Sequence, residues 1–179
     1  MSSAIRMRQA LLLAIGLGAA AAMPSRAADP CSQFSWDVAR ERALFAGTAT
    51  AVLAGTDAAS APRLLAEHLY ELQLRPLDQV RFVATPGRQS SGQSAYAGLA
   101  TLRITAPGRY RIAVDAPFWI DVVADGGLMS VAGFQGAPDC NAPHKILEFE
   151  FAVVRELTLQ FSGDRGSRVR VGIVAVAGR

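Results

Sequence analysis

The sequence predicts an all-β protein: an antiparallel two-sheet sandwich, jelly-roll-like, preceded by one short helix. Three observations predict it. From about residue 66 the apolar residues recur at every second position, the period of a half-buried strand. The runs that do so are short and are separated by turn signals: "RPLD", "TPGRQSSG", "APG", "DGG", "GAPDCNAP" and "SGDRGS". Past residue 47 almost no helical pattern intervenes, which favours sheet on sheet over alternating strands and helices.

Residues 1–27 read as a secretory signal peptide. Arg6 and Arg8 make a positive start, "ALLLAIGLGAAAAM" is an apolar stretch, and Ser25 and Ala27 are small residues at a cleavage position. The apolar run from Ala10 to Met23 is short for a permanent span of about 30 Å of hydrocarbon. Residues 28–179 are then a single β-sandwich domain, periplasmic or secreted, without a transmembrane segment. In "SQFSWDVARERALFAG" Ser35 is the expected N-cap, Asp37 lies in the first turn, and Gly47 is the expected stop, which predicts a helix over Trp36 to Phe45. Residues 47–63, rich in Ala, Thr, Ser and Gly, read as a connector with at most one short strand.

Nine strands are predicted after it. They are "HLYELQL" (68–74), "QVRFVA" (79–84), "LATLRIT" (99–105), "RYRIAVD" (109–115), "FWIDVVAD" (118–125), "LMSVAGF" (128–134), "KILEFEFAV" (145–153), "ELTLQF" (156–161) and "RVRVGIVAV" (168–176). Their alternation assigns faces. Tyr110, Ile112 and Val114 oppose Arg109 and Arg111. Leu147, Phe149, Phe151 and Val153 oppose Glu148 and Glu150. Leu157, Leu159 and Phe161 oppose Thr158 and Gln160, and Val169, Val171 and Ile173 oppose Arg168 and Arg170. The first of each set is the expected core.

The charge balance excludes one class of partner. Removing residues 1–27 removes Arg6, Arg8 and Arg26 and no acidic residue, which leaves 15 Lys and Arg against 15 Asp and Glu. The positive field that nucleic-acid binding rests on is missing, so no DNA or RNA partner is expected. The two cysteines, Cys31 and Cys140, form an even count in an exported chain and are read as a disulfide. Such a bridge, closing a loop of roughly 110 residues, is worth about 4–5 kcal/mol on chain-entropy grounds. Ala28, Asp29 and Pro30 precede Cys31, and a charge followed by proline does not make a lipid-attachment signal.

Catalytic patterns are scarce. "GQSAY" (Gly92 to Tyr96) is half of a G-x-S-x-G elbow, but it stands among strands with no helix after it, and it reads as part of a polar loop from Thr85 to Ser94. Glu148 and Glu150 share a strand face, as do Arg168 and Arg170; all four read as a solvated outer surface. His68 and His144 lack metal-site spacing with each other or with the cysteines, so no metal, cofactor or catalytic residue is assigned. The one pair suited to binding is Trp119 with Asp121 in "FWIDVV". An indole beside a carboxylate on a sheet face can form a platform for a sugar ring or a cation. Alternatively the N-terminal helix covers Trp119, and this is the favoured expectation.

The stretches "CSQFSWDVARERALFAG", "PFWIDVVADGG" and "GAPDC" resemble a family of small exported bacterial proteins without a known activity, over most of the mature chain. The resemblance also implies that the N-terminal cysteine pairs with the one in the "PDC" loop. Members of that family sometimes carry the label homogentisate 1,2-dioxygenase, which implies an oxidoreductase holding ferrous iron with two histidines and a glutamate on a much larger cupin fold. This chain has two histidines in all and no H-x-H pattern, so its residues do not support the label. "PGRYRIAVDAPFWIDVVADGG" is also similar in rhythm to jelly-roll pre-peptidase C-terminal and carbohydrate-binding domains, which implies the fold and not the function. The function expected is that of a non-catalytic secreted or periplasmic binding or interaction domain, with an unknown protein, small-molecule or glycan partner. A carbohydrate-binding accessory module and a dioxygenase-like oxidoreductase are the alternatives.

Overall fold

Twelve strands form two six-stranded layers in a computed structural model that describes residues 29–88, 95–163 and 166–176. In chain order they are β1 (Thr50–Leu53), β2 (Arg63–Leu64), β3 (Leu69–Gln73), β4 (Arg75–Pro76), β5 (Tyr96–Ile104), β6 (Gly108–Val114) and β7 (Trp119–Ala124). They continue with β8 (Gly127–Leu128), β9 (Gly133–Gly136), β10 (Lys145–Phe151), β11 (Arg155–Gly163) and β12 (Arg168–Val176). The first sheet has the order β1-β3-β12-β6-β10-β9, and the second has β2-β5-β11-β7-β8, with β4 also paired to β5. Without β1, β2, β4 and β9, the remaining eight strands numbered along the chain stack as 1-8-3-6 and 2-7-4-5, the jelly-roll order. The sandwich expected from the alternation is therefore the fold. Its edges are mixed: β1 joins β3 and β2 joins β5 in parallel.

The core lies between the sheets and is built from the faces that the alternation assigns. Ile112, Val114, Phe149, Phe151, Leu157, Leu159, Phe161, Val169, Val171 and Ile173 are all buried in one cluster. Val153 is the exception, exposed beyond the end of β10. Asp125 and Gly126 both have positive φ and join β7 to β8, so "DGG" is a tight hairpin turn in which only a residue tolerant of the left-handed region fits.

Two predicted strands are otherwise. "LMSVAGF" is a corner between the short edge strands β8 and β9. "QVRFVA" begins in a single 3-10 turn, Leu77–Gln79, and then runs irregularly over the outer face of the second sheet. Its backbone is claimed by a side chain rather than by a strand: Gln160 Oε1 accepts from the Val83 and Ala84 N–H groups at 2.7 and 3.0 Å, and Gln160 Nε2 donates to the Ala84 carbonyl at 3.1 Å. Gln160 is only 1 % exposed, and these three bonds give both of its polar atoms a partner.

The N-terminal helix α1 (Ala39–Phe45) is shorter than expected. The Ser35 and Trp36 N–H groups both donate to Gln135 Oε1 of β9, which holds that stretch extended. α1 lies on the outer face of the first sheet, where Val38 and Phe45 bury against Leu69, Ala113 and Ile146. Gly172 of β12 makes the close approach possible, since a Cβ there would stand 2.8 Å from Leu44 Cδ2 and 3.1 Å from Phe45 Cε2. Ahead of the helix, Cys31 is disulfide-bonded to Cys140, 109 residues away, with Cα atoms 4.9 Å apart. Among the described residues no helix is long and apolar enough to cross a membrane. The predicted signal peptide and residues 89–94 of the polar loop lie outside the described residues.

Candidate functional site

Trp119 begins β7 on the outer face of the second sheet, whereas α1 covers the first sheet on the far side of the sandwich. The expectation that the N-terminal helix covers Trp119 is thus overturned. The helix is drawn instead to the small residues Gly172 and Ala113, which leave a groove deep enough to take Leu44 and Phe45. Trp119 stays 37 % exposed at the end of the sandwich where β6 passes to β7 and where the Cys140 loop enters β10.

Asp121 stands two residues on, pointing to the same side, as the strand period requires. It is buried, and both oxygens are engaged: Oδ1 accepts from the Trp119 indole N–H at 2.8 Å, and Oδ2 accepts from the Gly87 N–H at 3.1 Å. Gly87 packs so closely that a Cβ would lie 3.0 Å from Asp121 Oδ1 and 3.5 Å from Trp119 Nε1. Asp121 and Gln160 are cross-strand partners in β7 and β11. Side by side they tie down the crossing segment, Gln160 at Val83 and Ala84, Asp121 at Gly87. The carboxylate therefore orients the indole and anchors a strap; it is not an open ligand group.

A second charged group completes the corner. Lys145, first residue of β10, places its Nζ 5.8 Å from the centroid of the Trp119 ring, within cation–π range. Burial, and then the positive charge of Arg88, push its pKa down to about 8, against an opposing pull from Asp121. Among the described residues no carboxylate forms an ion pair with Lys145. The sequence pattern gives Lys145 no part in a site and so misses it. Residues 88, 119 and 145 come from three distant segments, and no spacing in the sequence signals their meeting.

The outer face of the first sheet is not a solvated row either. Glu148 is buried, taking Arg111 Nε at 2.8 Å and Arg109 Nη1 at 3.3 Å; Glu150 and Arg168 stay exposed as expected. Arg111 also donates to Glu41 at 3.1 Å and to the Asp37 carbonyl at 2.9 Å, and it stacks 4.5 Å from the Trp36 ring centroid. Burial alone would lower the Arg111 pKa, but the hydrogen bonds it donates to Glu148 and Glu41 outweigh it and the pKa is raised. Arg170 is half-covered as well, bound through Nε and its own N–H to Asp115, each at 2.9 Å. Beside this network a cleft of about 380 Å³ opens between residues 35–41 and the sheet, lined by Trp36, Arg40, Arg109 and Val174 among others. Its three arginines are each paired, Arg111 with Glu41, Arg109 with Glu148 and Arg40 with Glu67, so these contacts fasten the helix segment to the sheet.

The two histidines stand in the loops leading into β3 and β10 of the same sheet, with β12 and β6 between those strands. Three strand spacings of about 4.8 Å separate them, far beyond the roughly 2 Å bond each would make to a shared metal. A site of two histidines and a carboxylate cannot be assembled from them. Among the described residues, no group of three or more His, Cys, Asp and Glu is placed to hold a metal ion. No family model, no curated protein and no solved structure matches the chain.

Proposed function

We propose that this chain is a non-catalytic, exported binding module that takes a ring-bearing ligand, a sugar ring first of all, on Trp119 at the loop end of its sandwich. One observation carries the reading: a large indole stays more than one-third exposed while Asp121 fixes its orientation through the N–H. An exposed aromatic normally keeps rotamer freedom, which a ligand must then freeze. An indole already locked is pre-organised, and less of the interaction is lost on binding. The flat face suits a pyranose ring, whose C–H groups pack on an aromatic surface. The loop end of a sandwich is also where binding residues are commonly carried. Export rests on the signal-peptide reading of residues 1–27 and agrees with a disulfide that closes most of the domain.

The test uses the protein's tryptophan emission, since Trp36 and Trp119 are the only two tryptophans. In a Trp36→Phe background the signal comes from Trp119 alone. Oligosaccharides of different composition should shift or quench it saturably. Trp119→Ala should abolish binding by calorimetry while costing only about 1–2 kcal/mol of stability, as suits a partly exposed ring. A loss of about 3–5 kcal/mol, the range of a core truncation, together with unchanged binding, would overturn the proposal.

A further inference from the structure

The charges around Trp119 narrow the ligand. We infer that the ring bound there is acidic, a uronate-type sugar whose carboxylate is taken by Lys145 and Arg88; this rests on Trp119 being the ring platform. Three observations on the corner point the same way. Lys145 brings its ammonium over the exposed indole, 5.8 Å from the ring centroid. Arg88 directly follows Gly87, which packs against Asp121 and Trp119, so the chain carries Arg88 to the same corner. Among the described residues the carboxylate that acts on Lys145 is Asp121, which is buried and already accepts two N–H donors.

Among the described residues, two cations beside one occupied carboxylate leave a local positive excess at this corner. A neutral ring would stack on Trp119 and leave that excess uncompensated. A ring carrying a carboxylate would stack and neutralise it, and burial makes such a charge-assisted contact stronger than it would be in open water. The two requirements, a flat apolar face and one carboxylate at its rim, are met together by a hexuronate. Lys145 as a point charge and Arg88 as a planar fork can take a carboxylate from two sides without demanding one fixed geometry.

The experiment compares matched probes: short oligomers of galacturonate, mannuronate and glucuronate, each against its methyl ester, titrated into the Trp36→Phe protein at low salt. At least one acid should bind about tenfold or more tighter than its ester, and the preference should shrink in 0.5 M salt. Lys145→Gln and Arg88→Gln should each remove most of that preference while leaving ester binding little changed. Arg88 is exposed, so its variant tests the idea without a burden on folding. Equal or better binding of the esters, with Trp119 emission still responding, would overturn the acidic preference and leave the platform standing. No response of Trp119 to any acid or ester would overturn both.

Discussion

Arg111 sits where three elements meet, and its position shows how one side chain can decide a surface. It rises from β6, reaches Glu148 on β10 and Glu41 on α1, and lies under the Trp36 ring. Glu41 is 2 % exposed and takes its counter-charge from Arg111, while the buried Glu148 takes its closest one from Arg111 and a second from Arg109. Replacing a buried ion pair by apolar groups is often harmless, but removing one partner leaves the other charge stranded. Arg111→Met is therefore expected to lose about 3–5 kcal/mol in urea unfolding. Adding Glu41→Gln and Glu148→Gln should restore much of it. Arg111→Lys should recover little, because an ammonium cannot span two carboxylates and a carbonyl as a guanidinium fork does. A single variant as stable as the parent would show that water already compensates these carboxylates.

At the scale of elements, the helix and the strap are both short pieces held by the sheet beneath them. A seven-residue helix is far below the length that is stable alone in water, so α1 exists because Phe45 and Val38 are buried on the first sheet. The disulfide just before it limits how far the segment can wander in the unfolded chain. Gly172 is the point of closest approach. Gly172→Val should force Leu44 and Phe45 outward and cost about 1–3 kcal/mol, the range for overpacking. Hydrogen exchange gives the sharper readout: protection should fall over residues 39–46 while β5 and β11, in the other sheet, keep theirs. Uniform loss across both sheets would contradict a helix that is docked separately. The strap is held in the same manner, through Gln160 and Asp121, which is why its own β-like composition does not make it a strand.

On the scale of the whole molecule, Lys145 ties the proposed site to the stability curve. Its pKa in the folded protein is about 8, and in the unfolded chain about 10.4. Burial is the first cause, Arg88 the second, with Asp121 opposing. Below pH 8 both states carry the proton, and the full cost of a buried cation is present. Between pH 8 and about 10.4 the unfolded chain binds a proton that the folded one has released, so stability rises with pH through that window. Comparison with Lys145→Gln isolates the effect from the tyrosines. The stability of the parent relative to that variant should climb between pH 8 and 10.4 and be flat from pH 6 to 7.5. A flat difference throughout would mean that Lys145 is solvated in solution.

The alternation of "RYRIAVD", "KILEFEFAV" and "RVRVGIVAV" was enough by itself to place three strands and to name their buried faces. Strand period is a local property, and each run carries it without reference to any other. The pairing of Cys31 with Cys140 was legible for a similar reason, since two cysteines leave one partner each. What lay beyond reach was every relation between segments far apart in the chain. The fate of Glu148, buried against Arg111, and of "QVRFVA", claimed by Gln160, depends on what folds over each strand's outer face. Whether the helix covers Trp119 or Gly172 depends on which sheet it meets, and that follows from the sandwich topology. Period two states that a residue points outward from a sheet; only the assembled layers decide whether outward means water, a helix or a strap.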